Sequence, residues 1–92
     1  MCNSFAHAHA LFLRADARLD KDPPNIEGAI EDAKLASEIA PTESKGWRAL
    51  AYAQEASGNV QGAIDAFREW ASVDVSFSTK SKKEIERLSR LL

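Results

Sequence analysis

The chain has 92 residues, of which 45% are hydrophobic and 28% are charged, and its net charge is −2 at neutral pH. This length predicts one small domain, with enough apolar material for a core. The slightly acidic balance argues against a general binder of nucleic acids or anionic membranes. No apolar run is long enough to cross a bilayer.

Charge is distributed unevenly along the chain. Residues 1–75 carry seven basic and twelve acidic side chains, whereas residues 76–92 carry five basic and two acidic ones. The chain therefore ends in a basic segment on an acidic body. Cys2 is the single cysteine, so no internal disulfide is expected and a reducing, cytoplasmic location is predicted. The N-terminus lacks the basic and apolar regions of a secretory signal.

Residues 4–19 are predicted to form the first helix, with Ser4 as its N-cap. Two apolar flanks recur at helical spacing. The first flank comprises Phe5, Ala8, Phe12, Ala15 and Leu19, and the second comprises Ala6, Ala10, Leu13 and Ala17. Because both flanks are apolar, we expect this helix to lie between two neighbouring helices.

The second and third helices are predicted at residues 25–40 and 43–57. Pro23 and Pro24 separate the first two helices because proline does not continue a helix interior. Asn25 is the expected N-cap of the second helix, and Pro41 ends it. Thr42 or Ser44 is expected to cap the third helix, which stops at Gly58.

The fourth helix is predicted at residues 60–73, and a C-terminal capping helix at residues 79–91. Ser81 and Glu84 have the spacing of a capping box at the start of the C-terminal helix, and Ser78 is the alternative N-cap. The last helix carries a narrow apolar seam that should seal the preceding repeat. The seam comprises Ile85, Leu88, Leu91 and Leu92. Trp70 is expected to pack against this helix or, alternatively, to mark a partner surface.

Two stretches of the chain are near-copies of each other, 34 residues apart. The matched pairs are Asn25 with Asn59, Gly28 with Gly62, Ala29 with Ala63, Ile30 with Ile64, and Ile39 with Val73. A repeat of this period indicates stacked helical hairpins. We predict an all-α fold of antiparallel helix-turn-helix repeats, with two repeats, a capping helix and five helices in one domain. We also expect a chain with so few repeats to be part of a longer protein.

The second repeat resembles the tetratricopeptide repeat family. It carries the family's pattern on its first helix at Trp47, Leu50 and Ala51, and on its second helix at Ala63 and Phe67. It departs from that pattern at Gln54, Trp70 and Val75. The first repeat keeps Ala29, Ala36 and Pro41, but its first helix is degenerate and Ala33 replaces the aromatic residue.

The resemblance implies a peptide groove on the inner face of the first helices of the repeats. Stepping by 34 residues gives a candidate binding surface of Arg14, Arg18, Lys45, Arg48, Tyr52 and Lys82. These cations suit a carboxylate, so the resemblance implies a partner protein's acidic C-terminal tail, as in chaperone-binding members. The family's clamps use Asn where Arg18 and Tyr52 stand. If the first helix is shifted by one residue, Phe12 and Leu19 fit the apolar positions and Arg14 leaves the groove.

Other classes of function remain as alternatives. The chain could be a structural module that forms a homo-oligomer or packs on a larger parent protein, because two repeats are fewer than a closed solenoid usually needs. RNA binding is disfavoured, since no strongly basic inner face is present. No nucleophile with a base, paired catalytic carboxylates or glycine-rich phosphate loop is recognisable, so we expect neither an enzyme nor a cofactor. A metal site at Cys2, His7 and His9 is not expected at this spacing.

Overall fold

The computed structural model describes residues 4–21 and 23–92, with the backbone alone at residues 4 and 5. Within these ranges the chain contains α-helices and one short 3-10 helix, and no strand. The helices are α1 (Ser4–Asp20), α2 (Ile26–Ile39), α3 (Ser44–Ser57), α4 (Val60–Val73) and α5 (Ser78–Ser89), with the 3-10 helix at Val75–Phe77. The predicted all-α fold with five α-helices is confirmed. The predictions for Cys2 and for the Ser4 and Phe5 side chains lie outside the described residues.

Consecutive helices pack on each other in chain order, and α1 additionally contacts α3. This nearest-neighbour packing is that of a helical repeat. It produces a flattened body of 44 × 33 × 16 Å. The helices α1, α3 and α5 therefore take alternate places in the stack, as the first helices of successive repeats would.

The core consists mostly of alanine, with a few large side chains. Alanine lets helix axes approach closely, and it has the highest helix propensity. Gly46 of α3 continues this pattern, because a Cβ placed there would lie 3.3 Å from the Ser37 backbone nitrogen of α2. The large buried apolar residues are Leu11, Phe12, Leu50, Ile64, Phe67, Phe77 and Leu88.

The two repeats start their second helices in the same way. The Asn25 side chain accepts a hydrogen bond from the Gly28 amide at 3.1 Å, and Asn59 accepts one from the Gly62 amide at 3.0 Å. A Cβ at either glycine would lie 2.6 Å from the amide nitrogen of its own cap. The recurring Asn and Gly are therefore one capping device, used once in each repeat.

Gly58 ends α3 as predicted. It adopts the left-handed conformation, with φ of 85°, which residues with a Cβ rarely enter. Its amide donates to the last turn of α3, and the Asn59 amide donates to the Gln54 carbonyl at 3.0 Å. The turn between α3 and α4 is therefore closed by backbone hydrogen bonds.

The predicted caps of α3 and α5 are wrong. The N-cap of α3 is Glu43, whose carboxylate accepts from the Lys45 amide at 3.2 Å. The helix α5 has no side-chain cap, because it continues directly from the 3-10 helix, and the Ser78 amide donates to the Val75 carbonyl. Ser81 is buried instead and donates its hydroxyl proton to the Ser78 carbonyl.

The aromatic residues of α4 join it to the C-terminal segment. The rings of Trp70 and Phe77 stack with centroids 3.4 Å apart, and Phe67 stacks on both. Trp70 is half-buried against the core, which is the packing alternative expected for it.

The apolar seam predicted on α5 is only partly buried. Leu88 is fully buried and Ile85 packs against the core, but Leu91 and Leu92 are exposed. Their predicted burial is wrong, because α5 ends at Ser89 and leaves both residues beyond the helix.

The helix α1 is shifted by one residue relative to α3. Phe12 and Ala15 are buried, whereas Leu13, which corresponds to Trp47 at the 34-residue offset, is 49% exposed. Ala10 and Ala17 are also exposed. As predicted, α1 contacts both its partner helix α2 and the helix α3 of the next repeat. Both pack on the side of Phe12 and Ala15, so the second flank is left exposed.

Candidate functional site

A groove opens between the N-terminal halves of α1 and α3. It forms a half-open cavity of about 510 Å³. Its lining comprises Ala6, His9, Ala10, Phe12, Leu13, Glu43 and Lys45. Most of these side chains are apolar, so the cavity suits a hydrophobic side chain with a polar group at its edge.

Lys45 supplies the positive charge at this cavity. Its ammonium lies 5.7 Å from the centre of the Phe12 ring, within cation–π range. His9 also contacts Phe12, edge to face, with ring centres 4.7 Å apart. Phe12 is therefore both a core residue and the floor beneath the exposed Lys45.

Arg48 lies between α1 and α3 and is paired across the groove. Its Nη2 donates to Asp16 Oδ2 at 3.3 Å, and both side chains are more than one-third exposed. An exposed pair with one long contact contributes little to stability, about 0–1 kcal/mol. Arg48 is thus held in position, but it is accessible to a competing carboxylate.

A second ion pair of the same kind connects α3 to α5. Arg87 donates to Glu55 at 2.8 Å and to Glu84 of its own helix at 2.6 Å. These two hydrogen bonds raise the pKa of Arg87 above its ordinary value. In both inter-helix pairs the acid precedes the arginine by 32 residues. The same charge arrangement therefore ties α1 to α3 and α3 to α5.

Arg14 and Arg18 point toward α2. Arg14 grips Asp32 with two hydrogen bonds of 2.8 Å. Arg18 Nε lies 3.0 Å from Asp32 Oδ2, although this buried Nε has no aligned hydrogen-bond acceptor. The one-residue shift of α1 explains this placement, because it turns both arginines toward the α1–α2 contact. They are thus separated from the cavity residues Lys45 and Phe12.

Asp32 is buried, with a side chain only 7% exposed. Its hydrogen bonds with Arg14 lower the pKa of this carboxyl below its ordinary value, against the opposing effect of burial. The same contact raises the pKa of Arg14. The cluster of Arg14, Arg18 and Asp32 therefore joins the two helices of the first repeat by charge.

Tyr52 belongs to the aromatic cluster next to α5. Its ring meets Phe67 and Trp70 edge to face, at 5.8 and 6.2 Å between centres, and 44% of the residue is exposed. Lys82 is exposed on α5 and forms no ion pair within the described part of the chain. Lys45, Arg48 and Tyr52 follow one another on α3, with Lys82 on the neighbouring repeat helix.

The described residues contain no cluster of three His, Cys, Asp or Glu side chains that could hold a metal ion. His7 and His9 are both exposed on α1. Cys2, the third residue considered for such a site, lies outside the described residues. No helix in the described ranges is both long enough and apolar enough to cross a membrane.

Two acids that pair with predicted site cations were not identified from the sequence: Asp16, the partner of Arg48, and Asp32, the partner of Arg14 and Arg18. The repeat could have identified Asp32. The equivalent residue of the second repeat, 34 positions later, is Ala66, which is buried. An acid at a buried repeat position needs a cation, and Arg14 and Arg18 were available. Asp16 had no such signal, because its place beside Arg48 follows from the shifted α1.

No family model matches this chain, and no curated protein is significantly similar to it.

Proposed function

We propose that this chain is a protein–protein interaction module that binds the carboxylate-terminated tail of a partner protein. The observation that carries the proposal is the groove between α1 and α3. Its cavity is floored by Phe12 and edged by Lys45, and the half-exposed Arg48 follows three residues later on α3. A terminal carboxylate would contact the cations while an apolar side chain enters the cavity.

The proposed binding surface contains fewer cations than the sequence analysis predicted. Arg14 and Arg18 are held by Asp32, so the proposed binding cations are Lys45, Arg48 and Lys82. Tyr52 offers a flat exposed ring beside them. Tails of heat-shock chaperones in the cytoplasm are the first partners to try, by the resemblance to tetratricopeptide repeats. Catalysis, nucleic acid and membranes have no part in the proposal.

The resemblance to tetratricopeptide repeats is itself part of the proposal. Two helical hairpins start their second helices with the same Asn cap and Gly, 34 residues apart. Nearest-neighbour stacking and the alternate placing of α1, α3 and α5 support it further. We infer a divergent pair of such repeats, closed by α5.

The decisive test is calorimetric titration with short peptides that end in a free carboxylate, each beside its amidated form. We expect micromolar binding that amidation abolishes, because the amide removes the charge that Arg48 and Lys45 would meet. Arg48→Ala should weaken binding about tenfold or more, which corresponds to about 1.4 kcal/mol. The helical content of this variant should be unchanged, since its ion pair is exposed.

Arg68→Ala is the matched control, because Arg68 is an exposed arginine on α4 with only a 3.9 Å contact to Asp65. It should bind the peptides like the wild type. If the free and amidated peptides give the same heats, or if Arg68→Ala weakens binding as much as Arg48→Ala, the proposed carboxylate site is wrong.

Self-association is the second candidate function. It is favoured by the exposed flank of α1, on which Ala10, Leu13 and Ala17 face away from the core. The opposite end of the stack is covered by α5, whose outer surface is mainly charged and polar. A second copy that covered the α1 flank would bury the apolar surface that this chain leaves open.

A further inference from the structure

The groove contains its own carboxylates. Asp16 is paired with Arg48, and Glu55 is paired with Arg87, each across the junction of two repeat helices. A tail that binds Arg48 through its terminal carboxylate must therefore displace Asp16. This inference deepens the function proposed above and rests on it.

The Asp16–Arg48 pair can be broken by a competing carboxylate more easily than the cluster of Arg14, Arg18 and Asp32. Asp32 receives two hydrogen bonds of 2.8 Å from Arg14, and its side chain is 7% exposed. The Asp16–Arg48 pair has one contact of 3.3 Å, with side chains 37% and 36% exposed. Water and incoming carboxylates can therefore compete for Arg48, whereas Asp32 is shielded from them.

Exchange would leave the Asp16 carboxylate without its partner in a partly desolvated groove. Neighbouring arginines are not in place to replace Arg48. Arg18 and the more exposed Arg14 (59%) are both paired with Asp32 on the α2 side of the helix. Lys45 lies over Phe12, one turn before Asp16 on α1. An unpaired carboxylate next to a bound anion is unfavourable, so the ligand has to supply a positive charge.

We propose that Asp16 is a specificity-determining residue, which selects tails carrying a basic side chain within a few residues of the terminal carboxylate. The terminal carboxylate of the ligand forms an ion pair with Arg48, and the ligand's Lys or Arg forms an ion pair with Asp16. One internal ion pair is thereby replaced by two pairs between protein and ligand. A tail carrying only acids would meet Asp16 and Glu55 as like charges. The acidic chaperone tails implied by the resemblance should therefore bind more weakly than tails with a basic residue near their end.

The basic group must lie close to the end of the tail. Asp16 and Arg48 are in direct contact, so the two ligand charges have to reach adjacent points. Two residues of extended chain span about 7 Å, which a lysine side chain can fold back across. Lysine at the antepenultimate position is therefore the form of ligand to test.

The experiment compares two short peptides with identical sequences and free carboxyl ends, one with Lys and one with Glu at the antepenultimate position. At low ionic strength the Lys peptide should bind the wild type about tenfold more tightly. In Asp16→Asn the Kd values of the two peptides should converge to within about twofold, because the carboxylate that discriminates between them is gone. The Glu peptide should gain affinity in this variant.

Asp65→Asn is the control, because Asp65 is an exposed acid on α4 that contacts Gln61 and Arg68. It should keep the wild-type preference for Lys. An unchanged preference in Asp16→Asn, or a wild type that favours the Glu peptide, would overturn the role of Asp16 while leaving the peptide site intact. Failure of both peptides to bind any variant would reject the proposed function itself.

Discussion

At the scale of single residues, Asp32 is the most consequential side chain in the first repeat. It is a buried carboxylate within an alanine-rich contact, and two arginines of α1 neutralise it. Removing the charge from such a group leaves cations and a hydrogen-bonding site without their partner. The stability of the α1–α2 pair should therefore depend on the ionisation of this one carboxyl.

We expect Asp32→Asn to lower the free energy of unfolding near neutral pH by about 2 kcal/mol, because hydrogen bonds between charged groups are lost. In a domain of this size the Tm should fall by roughly 8–16 °C. Thermal unfolding followed by circular dichroism measures the change. Asp65→Asn replaces an exposed acid and should stay within about 0.5 kcal/mol of the wild type.

The same substitution should change the pH dependence in a defined direction. The Asp32 pKa is lowered in the folded state, from about 3.9 in an unfolded chain. Its contribution is therefore complete above the unfolded pKa and is lost as pH falls through the folded pKa. The Tm difference between wild type and Asp32→Asn should shrink at acidic pH. A difference that is constant from neutral pH to below the folded pKa would contradict the assigned role.

At the scale of the helix, each Asn N-cap is accompanied by a glycine three residues later, which leaves space for the Asn side chain. Glycine in a helix is normally less favourable than alanine by about 1 kcal/mol. Here a Cβ at Gly62 would lie 2.6 Å from the Asn59 side-chain nitrogen. The glycine is retained because the cap needs the space beside the first turn of α4.

We expect Gly62→Ala to destabilise the wild type by about 1 kcal/mol, because the Asn59 cap is displaced. In an Asn59→Ala background, the same substitution should stabilise by up to about 1 kcal/mol, since only its intrinsic propensity remains. The flexible Gln54 side chain, 3.1 Å from the added Cβ, can move aside. Chemical denaturation of the wild type, Gly62→Ala, Asn59→Ala and the double variant gives the coupling energy between the two positions.

Gln61→Ala provides the matched cycle for this measurement. Gln61 adjoins Gly62 and contacts Asp65, but not the cap. Its coupling to Asn59→Ala should be close to zero. Additive effects of Gly62→Ala and Asn59→Ala would show that the glycine and the cap are independent.

At the scale of the whole molecule, the two ends of the stack differ. The α5 end presents mainly charged and polar side chains, whereas α1 presents the exposed flank of Ala10, Leu13 and Ala17. Ala10 and Leu13 of this flank also line the cavity, so self-association and peptide binding would compete for them. Burial of apolar surface is the main favourable term in association. If a second copy covers the α1 end, the measured mass must increase with concentration.

We expect sedimentation equilibrium to show that the average mass rises above the monomer value with increasing concentration. Ala17→Glu should return the protein to a monomer, because it places a charge within the proposed contact and outside the cavity lining. Ala56→Glu alters an exposed alanine of α3 and should leave the association unchanged. A monomer mass at every concentration would rule out self-association through α1.

The repeat period predicted the fold well and the groove poorly. The five helices and the Asn caps could be predicted from the sequence, because helical periodicity, proline breaks and the 34-residue repeat all indicate them. Placing Arg14 in the groove required the rotation of α1, which depends on whether Phe12 or Leu13 enters the core. That choice is made by packing against α2 and α3, and no residue of α1 alone determines it.

The Asp16–Arg48 pair was missed for a similar reason. A strict period relates residues 34 positions apart, whereas this contact joins residues 32 positions apart. Repeat counting identifies equivalent positions, but contacts between repeats join positions that are not equivalent. They depend on the stagger of neighbouring helices, which the period does not contain.

The two tryptophans occupy different junctions of the stack. Trp47 donates its indole proton to the Pro41 carbonyl at the α2–α3 junction, and Trp70 stacks on Phe77 at the α4–α5 junction. In stacked repeats each unit is stabilised mainly by its neighbours, so the ends can melt separately. Replacing either tryptophan by phenylalanine leaves one tryptophan per molecule, whose emission can be excited selectively over that of Tyr52. The chain thus carries its own pair of optical reporters, which can show whether the two halves unfold in one cooperative step.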